Sequence, residues 1–192
     1  MKRALFAVAF ALSIGLAGGG TAAADGQLSV RQLFGGGARV GFEGEAMFET
    51  GLRSELLFGP ARVDAWRAGF AVDLRTSDFV TAEAAGGAAL LIPIASGFPL
   101  VLSGGAGWAS RPGDDDGPIA LATLAFGYRA YNYHHTYGFA LQAYLSGRTW
   151  LDREATWEIT GGIEIDLAFT LGVPIMFLYT WLAHGAPDEE EE

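Results

Sequence analysis

The chain has 192 residues, of which 51% are hydrophobic and 18% charged, and its formal net charge at neutral pH is −10. Its 12 basic residues form no arm or stripe, which excludes nucleic acid as an expected partner. Cysteine is absent, so the fold must be held together by backbone hydrogen bonds and packing, without disulfides.

The N-terminus has the three parts of a secretory signal peptide. Two basic residues precede an apolar run at 4–16, and Ala22 and Ala24 then form an A-x-A cleavage site. We therefore predict that residues 1–24 are a signal peptide, removed after Ala24. An uncleaved anchor is the alternative, but the run is shorter than the roughly 20 apolar residues that cross a bilayer. Cleavage would leave 168 residues, enough for one domain, with a net charge of about −12.

Apolar and polar residues alternate along most of the remaining chain, and the pattern is clearest at 157–171. Every second residue there is apolar or glycine, whereas the intervening positions include Glu158, Glu164 and Asp166. Side chains of a strand point alternately to its two faces, so this segment predicts a strand with one apolar and one polar face. The same alternation predicts strands at 39–49, 52–58, 62–75, 79–92, 100–110, 118–131, 137–148 and 157–171.

The predicted strands are preceded by a leader and followed by a tail. Residues 25–37 are polar and then glycine-rich, which indicates a leader or a short additional strand. The barrel domain is predicted to occupy residues 38–185. Residues 186–192 are mostly glutamate, and they predict a solvated acidic tail.

The C-terminal apolar run leaves two structures open. Residues 167–183 carry no charge, which is close to the length of a transmembrane helix. Gly172 and Pro174 interrupt the run, and its first part already continues the alternation of the preceding strand. Residues 171–185 are therefore ambiguous between a further strand and a short helix, and the strand number depends on the outcome.

A membrane barrel fits these strands better than a soluble sheet does. The mean hydropathy is +0.26 although 18% of the residues are charged. A barrel that faces lipid with its apolar side chains and encloses the polar ones reconciles the two values. An open sheet edge in lipid would leave backbone groups unpaired at several kcal/mol each, so closure is expected. The predicted fold is all-β: a closed, antiparallel, up-and-down transmembrane β-barrel of about eight strands, with about ten possible.

Charged residues of both signs fall on the predicted inner face, where opposite charges can pair. Eight strands enclose a lumen that side chains can fill, so such a network would plug it. The predicted lumen charge network comprises Glu43, Glu45, Arg53, Glu55, Arg67, Asp73, Arg75, Glu83, Arg129, Arg148, Glu158, Glu164 and Asp166. Aromatic residues gather near strand ends, as in interfacial girdles, at Phe79, Phe98, Trp108, Tyr131, Tyr133, Tyr137, Trp150 and Trp157.

An even number of strands determines which connections share an end of the barrel. With the N-terminus in the periplasm, the acidic segment 111–117 and the segment 151–155 are predicted to face outward. The connections at 93–97 and 132–136 then face the periplasm.

The histidines offer no catalytic arrangement. His134 and His135 fall in a predicted turn with no serine at strand spacing to act as a nucleophile, and His184 lies near the chain end. A zinc site would need a third ligand that the sequence does not place beside them. We therefore predict no catalytic residue, no metal site and no cofactor.

Two acidic groups and a glycine run favour structural roles as well. Asp114–Asp116 could bind calcium loosely, but EF-hand spacing is lacking and a solvated loop is favoured. Glu164 and Asp166 share a face, as a glycosidase pair would, but ion pairing in the lumen accounts for them better. The glycines at 35–37 precede no predicted helix, so they fit close strand approach rather than a phosphate cradle.

Residues 38–171 resemble the small eight-stranded outer-membrane β-barrel proteins of Gram-negative bacteria. The signal peptide, the alternation, the aromatic strand ends and the short turns carry the resemblance, with segments such as 126–129 (FGYR) and 163–167 (IEIDL). The resemblance implies an outer-membrane location, contact with outer-membrane lipid and use of the barrel-insertion machinery during biogenesis. No functional motif matches residue by residue, so no active site carries over, and any surface or periplasmic protein partner stays unidentified.

The expected function is that of a non-enzymatic outer-membrane barrel with a plugged lumen and a structural or surface-interaction role. Three alternatives are open. A lipid A-modifying or phospholipid-modifying enzyme would share the fold, and a soluble exported ligand-binding barrel would place its charged faces outside. A helical inner-membrane protein would use the apolar segments 89–109 and 167–183 as its spans.

Overall fold

The computed structural model describes residues 25–40, 45–60, 62, 64–111, 116–130, 139–152 and 157–184. Over these residues the chain forms eight β-strands followed by one α-helix. The strands are β1 (Asp25–Val40), β2 (Ala46–Gly59), β3 (Arg67–Ser77), β4 (Thr81–Ala95), β5 (Phe98–Ser110), β6 (Gly117–Arg129), β7 (Ala140–Trp150) and β8 (Trp157–Asp166), and the helix is α1 (Leu167–His184). The predicted signal peptide at 1–24 and the tail at 186–192 lie outside the described residues.

The sheet closes on itself. Each strand pairs in antiparallel fashion with its neighbours in sequence, and β1 also pairs with β8. The seam between these two strands runs from Arg31 opposite Asp166 to Val40 opposite Trp157. The predicted all-β, closed, antiparallel, up-and-down barrel is therefore confirmed, with eight strands in the described chain.

The first two strands differ from the prediction. The segment predicted as a leader belongs to β1, and the strand predicted at 39–49 covers the end of β1, the following connection and the start of β2. The break between the strands predicted at 39–49 and 52–58 implies a turn near Gly51, but Gly51 lies inside β2 and pairs with Leu33. Glycine is needed there because a Cβ would overlap the carbonyl oxygen of Leu74 on β3. The glycine therefore marks a close approach of strands and not a turn.

The C-terminal run is a helix. The sequence predicts residues 167–171 as the end of a strand, but they are the first five residues of α1. A further strand has no place beside β8, because β8 already pairs with both β7 and β1. An extension of β8 beyond Asp166 would also lack a partner on one edge, because β7 begins only at Ala140. The Asp166 carboxylate accepts a hydrogen bond from the Ala168 backbone N–H at 2.8 Å, which caps the helix start.

The alternative of a helical inner-membrane protein is wrong for its first segment, because residues 89–109 lie in the β4–β5 hairpin. In the part of the chain that the structure describes, no helix has both the length and the hydropathy required to cross a membrane.

The two faces of the sheet have opposite chemistry. In all eight strands, the positions that point out of the barrel carry no charged residue. Their largest side chains are well exposed, with Phe70 61% and Leu145 55% accessible. The inward positions alternate with them and carry the buried arginines and carboxylates. The barrel therefore has an apolar outer wall and a charged core.

The connections divide between two ends, which we call the α1 end and the opposite end. At the α1 end lie the chain entry at Asp25, the β2–β3, β4–β5 and β6–β7 connections, and α1. The other four connections lie at the opposite end. Of the segments assigned to an end in the sequence analysis, Gly117 and Leu151 lie at the opposite end and residues 93–95 at the α1 end, whereas 132–136 lies outside the described residues.

Outward aromatic side chains mark both ends of the barrel. At the α1 end, Phe98 lies 5.8 Å from Tyr128 between ring centroids, and Tyr128 lies 6.4 Å from Phe139. At the opposite end, Phe48 and Phe79 are 5.8 Å apart. Trp108 and Trp157 also point outward at that end, as predicted. Trp150 differs from the prediction because it points inward and packs on the apolar group Ala85, Ala109, Ile119 and Leu121. The predicted girdle residues Tyr131, Tyr133 and Tyr137 lie outside the described residues.

Candidate functional site

The barrel interior is the one place where the described chain concentrates reactive and charged groups. Six arginines and seven carboxylates are buried there. They are Arg31, Arg53, Arg67, Arg75, Arg129 and Arg148 with Glu49, Glu55, Asp73, Glu83, Glu158, Glu164 and Asp166. A seventh guanidinium, that of Arg39, is only 11% exposed and pairs with Glu158 at 2.6 Å. The interior therefore holds equal numbers of positive and negative groups.

Glu55 is the centre of the first group of ion pairs. Its Oε2 lies 2.7 Å from Arg129 Nη1, and its Oε1 lies 3.0 Å from Arg53 Nε and also pairs with Arg31. Arg31 pairs in addition with Glu164, whose Oε2 lies 2.6 Å from Arg31 Nη1. The five residues come from β1, β2, β6 and β8, so these contacts tie opposite walls of the barrel together.

Arg75 organises a second group nearer the opposite end. Its Nη1 donates to Glu49 Oε1 at 2.9 Å and its Nη2 donates to Asp73 Oδ1 at 2.8 Å. The same guanidinium donates to the hydroxyls of Ser146 at 2.9 Å and Thr123 at 3.1 Å. A guanidinium has five N–H donors in a planar fork, so one arginine can satisfy acceptors on four strands.

Arg148 and Arg39 form a third group at the opposite end. Arg148 pairs with both Glu83 and Glu158, and Arg39 Nε donates to Glu158 Oε1. Arg39 Nη1 also lies 3.0 Å from Glu45 Oε2. The prediction that Glu45 belongs to the lumen charge network is wrong, because its side chain is 66% exposed. The reason is that Glu45 precedes β2 and is not part of the wall, so alternation cannot direct it inward.

The Tyr144 side chain on β7 reaches across the two neighbouring strands, β8 and β1, to a residue of β2. Tyr144 on β7 lies opposite Gly162 on β8, which lies opposite Gly35 on β1 and so next to Glu49 on β2. Since neither glycine has a side chain, the tyrosine ring extends across β8 and β1, and its hydroxyl occupies the space of a Gly35 Cβ. That hydroxyl donates to Glu49 Oε1 at 3.0 Å. Gly35 and Gly162 thus permit close packing inside the barrel.

We expect Tyr144→Phe to lower the free energy of unfolding by about 1.5 kcal/mol, the lower range for a hydrogen bond to a charged group. The ring would stay over the glycines, and Glu49 would keep its bonds from Arg75 and Thr160. Urea unfolding of the barrel in detergent micelles, followed by tryptophan fluorescence, measures the loss. Tyr128→Phe, on the outer wall, is the matched control. Equal stability of the two variants would show that the Tyr144 hydroxyl contributes nothing.

The wall opposite these long side chains is built from small residues. Ala85 and Gly87 on β4 and Ser103 and Gly105 on β5 point inward and line a cavity of about 10 Å³ beside Asp73. That volume holds about one water molecule. From β2, the Arg53 guanidinium reaches across the interior to the Ser103 hydroxyl. The cavity beside this wall is therefore large enough for a water molecule and not for a larger ligand.

The structure brings most of the predicted network residues inside. Eleven of the thirteen are buried in the barrel: Arg53, Glu55, Arg67, Asp73, Arg75, Glu83, Arg129, Arg148, Glu158, Glu164 and Asp166. Glu43 lies outside the described residues. Arg67 belongs to the α1 end, where its Nη2 donates to the Pro60 carbonyl at 2.8 Å. Asp166 is buried in the interior, and its carboxylate also caps the start of α1.

Several interior residues escaped the sequence analysis. Arg31 was missed because 25–37 read as a leader. Arg39 was missed although it begins the strand predicted at 39–49, on the polar face of that strand. Glu49 lies on the same polar face as Glu45 and could have been found from it. Alternation places Tyr144 on the same face of the predicted strand 137–148 as Arg148, but its residue type did not mark it as a partner of the charged groups, because a tyrosine fits either face of a barrel wall.

The carboxylates of the described interior lie among guanidinium groups. Each group of carboxylates is held by guanidiniums, and an arginine is too basic to act as a general base. No three histidine, cysteine or acidic side chains come together as metal ligands within the described residues. His134, His135, Asp114 and Asp115 lie outside those residues, as does the side chain of His184.

Comparisons of the chain with protein-family models, with curated proteins and with solved structures found no match. Function therefore has to be inferred from the two faces of this barrel and from its ends.

Proposed function

We propose that this chain is an exported outer-membrane β-barrel protein, of the kind found in Gram-negative bacteria, with a structural or surface-interaction role and no enzymatic activity. The observation that carries the proposal is the separation of charge. Outward positions of all eight strands lack a charged residue, whereas seven carboxylates and six arginines are buried inside.

The energetics of this arrangement favour lipid outside the barrel. An outer wall with Phe70, Leu145, Trp108 and Trp157 at least half exposed would be a large apolar patch in water, and monomeric soluble proteins rarely expose one. In lipid the same wall has no desolvation cost, and closure of the sheet pairs the backbone groups of its first and last strands from Arg31 to Val40 and from Trp157 to Asp166. A soluble exported ligand-binding barrel requires the reverse distribution, with apolar side chains around an internal cavity.

The filled interior supports a structural or surface role over solute passage. Ion pairs between opposite walls hold the barrel closed across its width, with Glu55 bonded to arginines of β1, β2 and β6. What differs from one such barrel to another is then the set of connections at its ends. The opposite end carries four connections, including the acidic residues at 114–116, and it is the surface that a partner would meet.

Membrane fractionation combined with gel mobility tests the proposal. The full chain, produced in a Gram-negative host, is expected to sediment with outer membranes and to change its mobility on heating, because a closed barrel resists detergent until it is boiled. The matched control lacks residues 2–24 and should remain unexported. Recovery of the mature chain as a monodisperse species in buffer without detergent would refute the proposal.

A further inference from the structure

The middle of α1, at residues 175–178, is apolar on every side. Ile175, Met176, Phe177 and Leu178 follow one another and are 55–71% exposed. Successive residues of an α-helix point about 100° apart, so these four side chains together cover the whole circumference. A helix that is apolar all round belongs inside an apolar medium or a protein core.

The helix begins at the level of the outward aromatic residues of the barrel. Phe169 in its first turn lies 6.0 Å from Phe139, and Phe139 contacts Tyr128, which contacts Phe98. These rings form one continuous apolar surface from the strand ends to the helix. The main contacts of α1 with the barrel are made with β1 and β8, the strands beside its start.

We propose that α1 is embedded among the acyl chains of the membrane at the α1 end, as a second lipid contact of the protein beside the barrel wall. The proposal rests on the proposed function, since the barrel brings the helix to the membrane. Because Phe169 continues the aromatic surface at this end of the barrel, the first turn of α1 lies at the edge of the proposed lipid layer.

Lipid fits the helix better than a second copy of the chain does. A neighbouring helix or barrel would cover one side of α1 and leave the other side chains of 175–178 in water. Trp181 and Leu182 extend the same exposed surface and are 68% and 67% accessible. Only a surrounding apolar medium removes all of this surface from water, at about 25 cal/mol per Å².

Site-specific labelling tests the environment of the helix, because the chain contains no cysteine. Single cysteines at Ile175, Met176, Phe177 and Leu178, one per variant, carry an environment-sensitive fluorophore in barrels reconstituted into phosphatidylethanolamine–phosphatidylglycerol vesicles. Leu145→Cys on the barrel wall is the lipid-facing control. Asp64→Cys is the aqueous control, at an exposed residue of the β2–β3 connection.

All four helix labels are expected to emit at shorter wavelength than the label at Asp64. With brominated acyl chains each should lose at least about half the fraction of emission that the label at Leu145 loses, because hydrocarbon surrounds both. Quenching by iodide in the buffer should be correspondingly weak.

Three outcomes would overturn the inference in distinguishable ways. If the Leu145 label is quenched by bromine and the helix labels by iodide, the barrel is in lipid but α1 is in water. If bromine quenches the labels on one side only, and energy transfer links labelled copies, a second copy covers the helix. If the Leu145 label itself escapes bromine, the membrane barrel fails and the inference fails with it.

Discussion

Replacing Glu55 by alanine is expected to be the most damaging single change in the barrel interior, with a loss of about 3–5 kcal/mol in the free energy of unfolding. The carboxylate is fully buried and pairs with Arg31, Arg53 and Arg129. Its removal leaves an excess of positive charge that water cannot reach and only Glu164 and Asp73 partly offset. Buried charges without partners are among the few causes of such large effects.

Urea unfolding in detergent micelles, followed by tryptophan fluorescence, gives the loss as a shift of the midpoint at constant slope. Ser54→Ala is the matched control, since Ser54 is the adjacent residue of β2 and points out of the barrel. That variant should remain within about 0.5 kcal/mol of the parent. If Glu55→Ala were equally stable, the ion pairs around Glu55 could not be what holds the walls together.

An arginine at Leu145 is expected to destabilise the reconstituted barrel by about 2–4 kcal/mol, the range for a cation at the midplane of a bilayer. Leu145 lies midway along β7, points outward and is 55% exposed. A guanidinium at this position would have to leave water for hydrocarbon. The measurement is urea unfolding from phosphatidylcholine vesicles.

Thr149→Arg is the matched control for depth, because Thr149 points outward on the same strand near the opposite end. Its cost should be only about 0–1 kcal/mol, since the side chain can reach the headgroups. A barrel whose outer wall faced water would tolerate both arginines equally. Equal stabilities of the Leu145 and Thr149 variants in vesicles would therefore remove the main support for the membrane location.

The interior was predictable wherever strict alternation was unbroken. In β3, β6, β7 and β8 a period of two assigns every residue to one face, so Arg75, Arg129, Arg148 and Glu164 could be placed inside from the sequence alone. The prediction identified most of the charged residues that lie in the interior, but not which of them form ion pairs with each other. Which arginine meets which carboxylate depends on register across the barrel, and a single strand carries no information about it.

Two parts of the chain could not be predicted because glycine and hydrophobicity are ambiguous there. Residues 35–37 lack side chains, so β1 showed too little alternation to be recognised as a strand. Gly51 resembled a turn, although its role is to let β3 approach. At 167–183 the composition suits strand and helix alike. The deciding factor is the pairing of β8 on both edges, which is a property of the whole sheet.

The seam between β1 and β8 has a consequence for biogenesis. Arg39 and Glu158 are separated by 119 positions, and Arg31 and Glu164 by still more, so neither pair exists before the first and last strands meet. Before the seam forms, the sheet would expose unpaired backbone groups at its edges and unpaired guanidinium groups to hydrocarbon. Each exposure carries a large free-energy cost. In the proposed membrane location, the chain is therefore expected to enter lipid only when β1 and β8 pair, so that closure of the barrel and insertion are a single event.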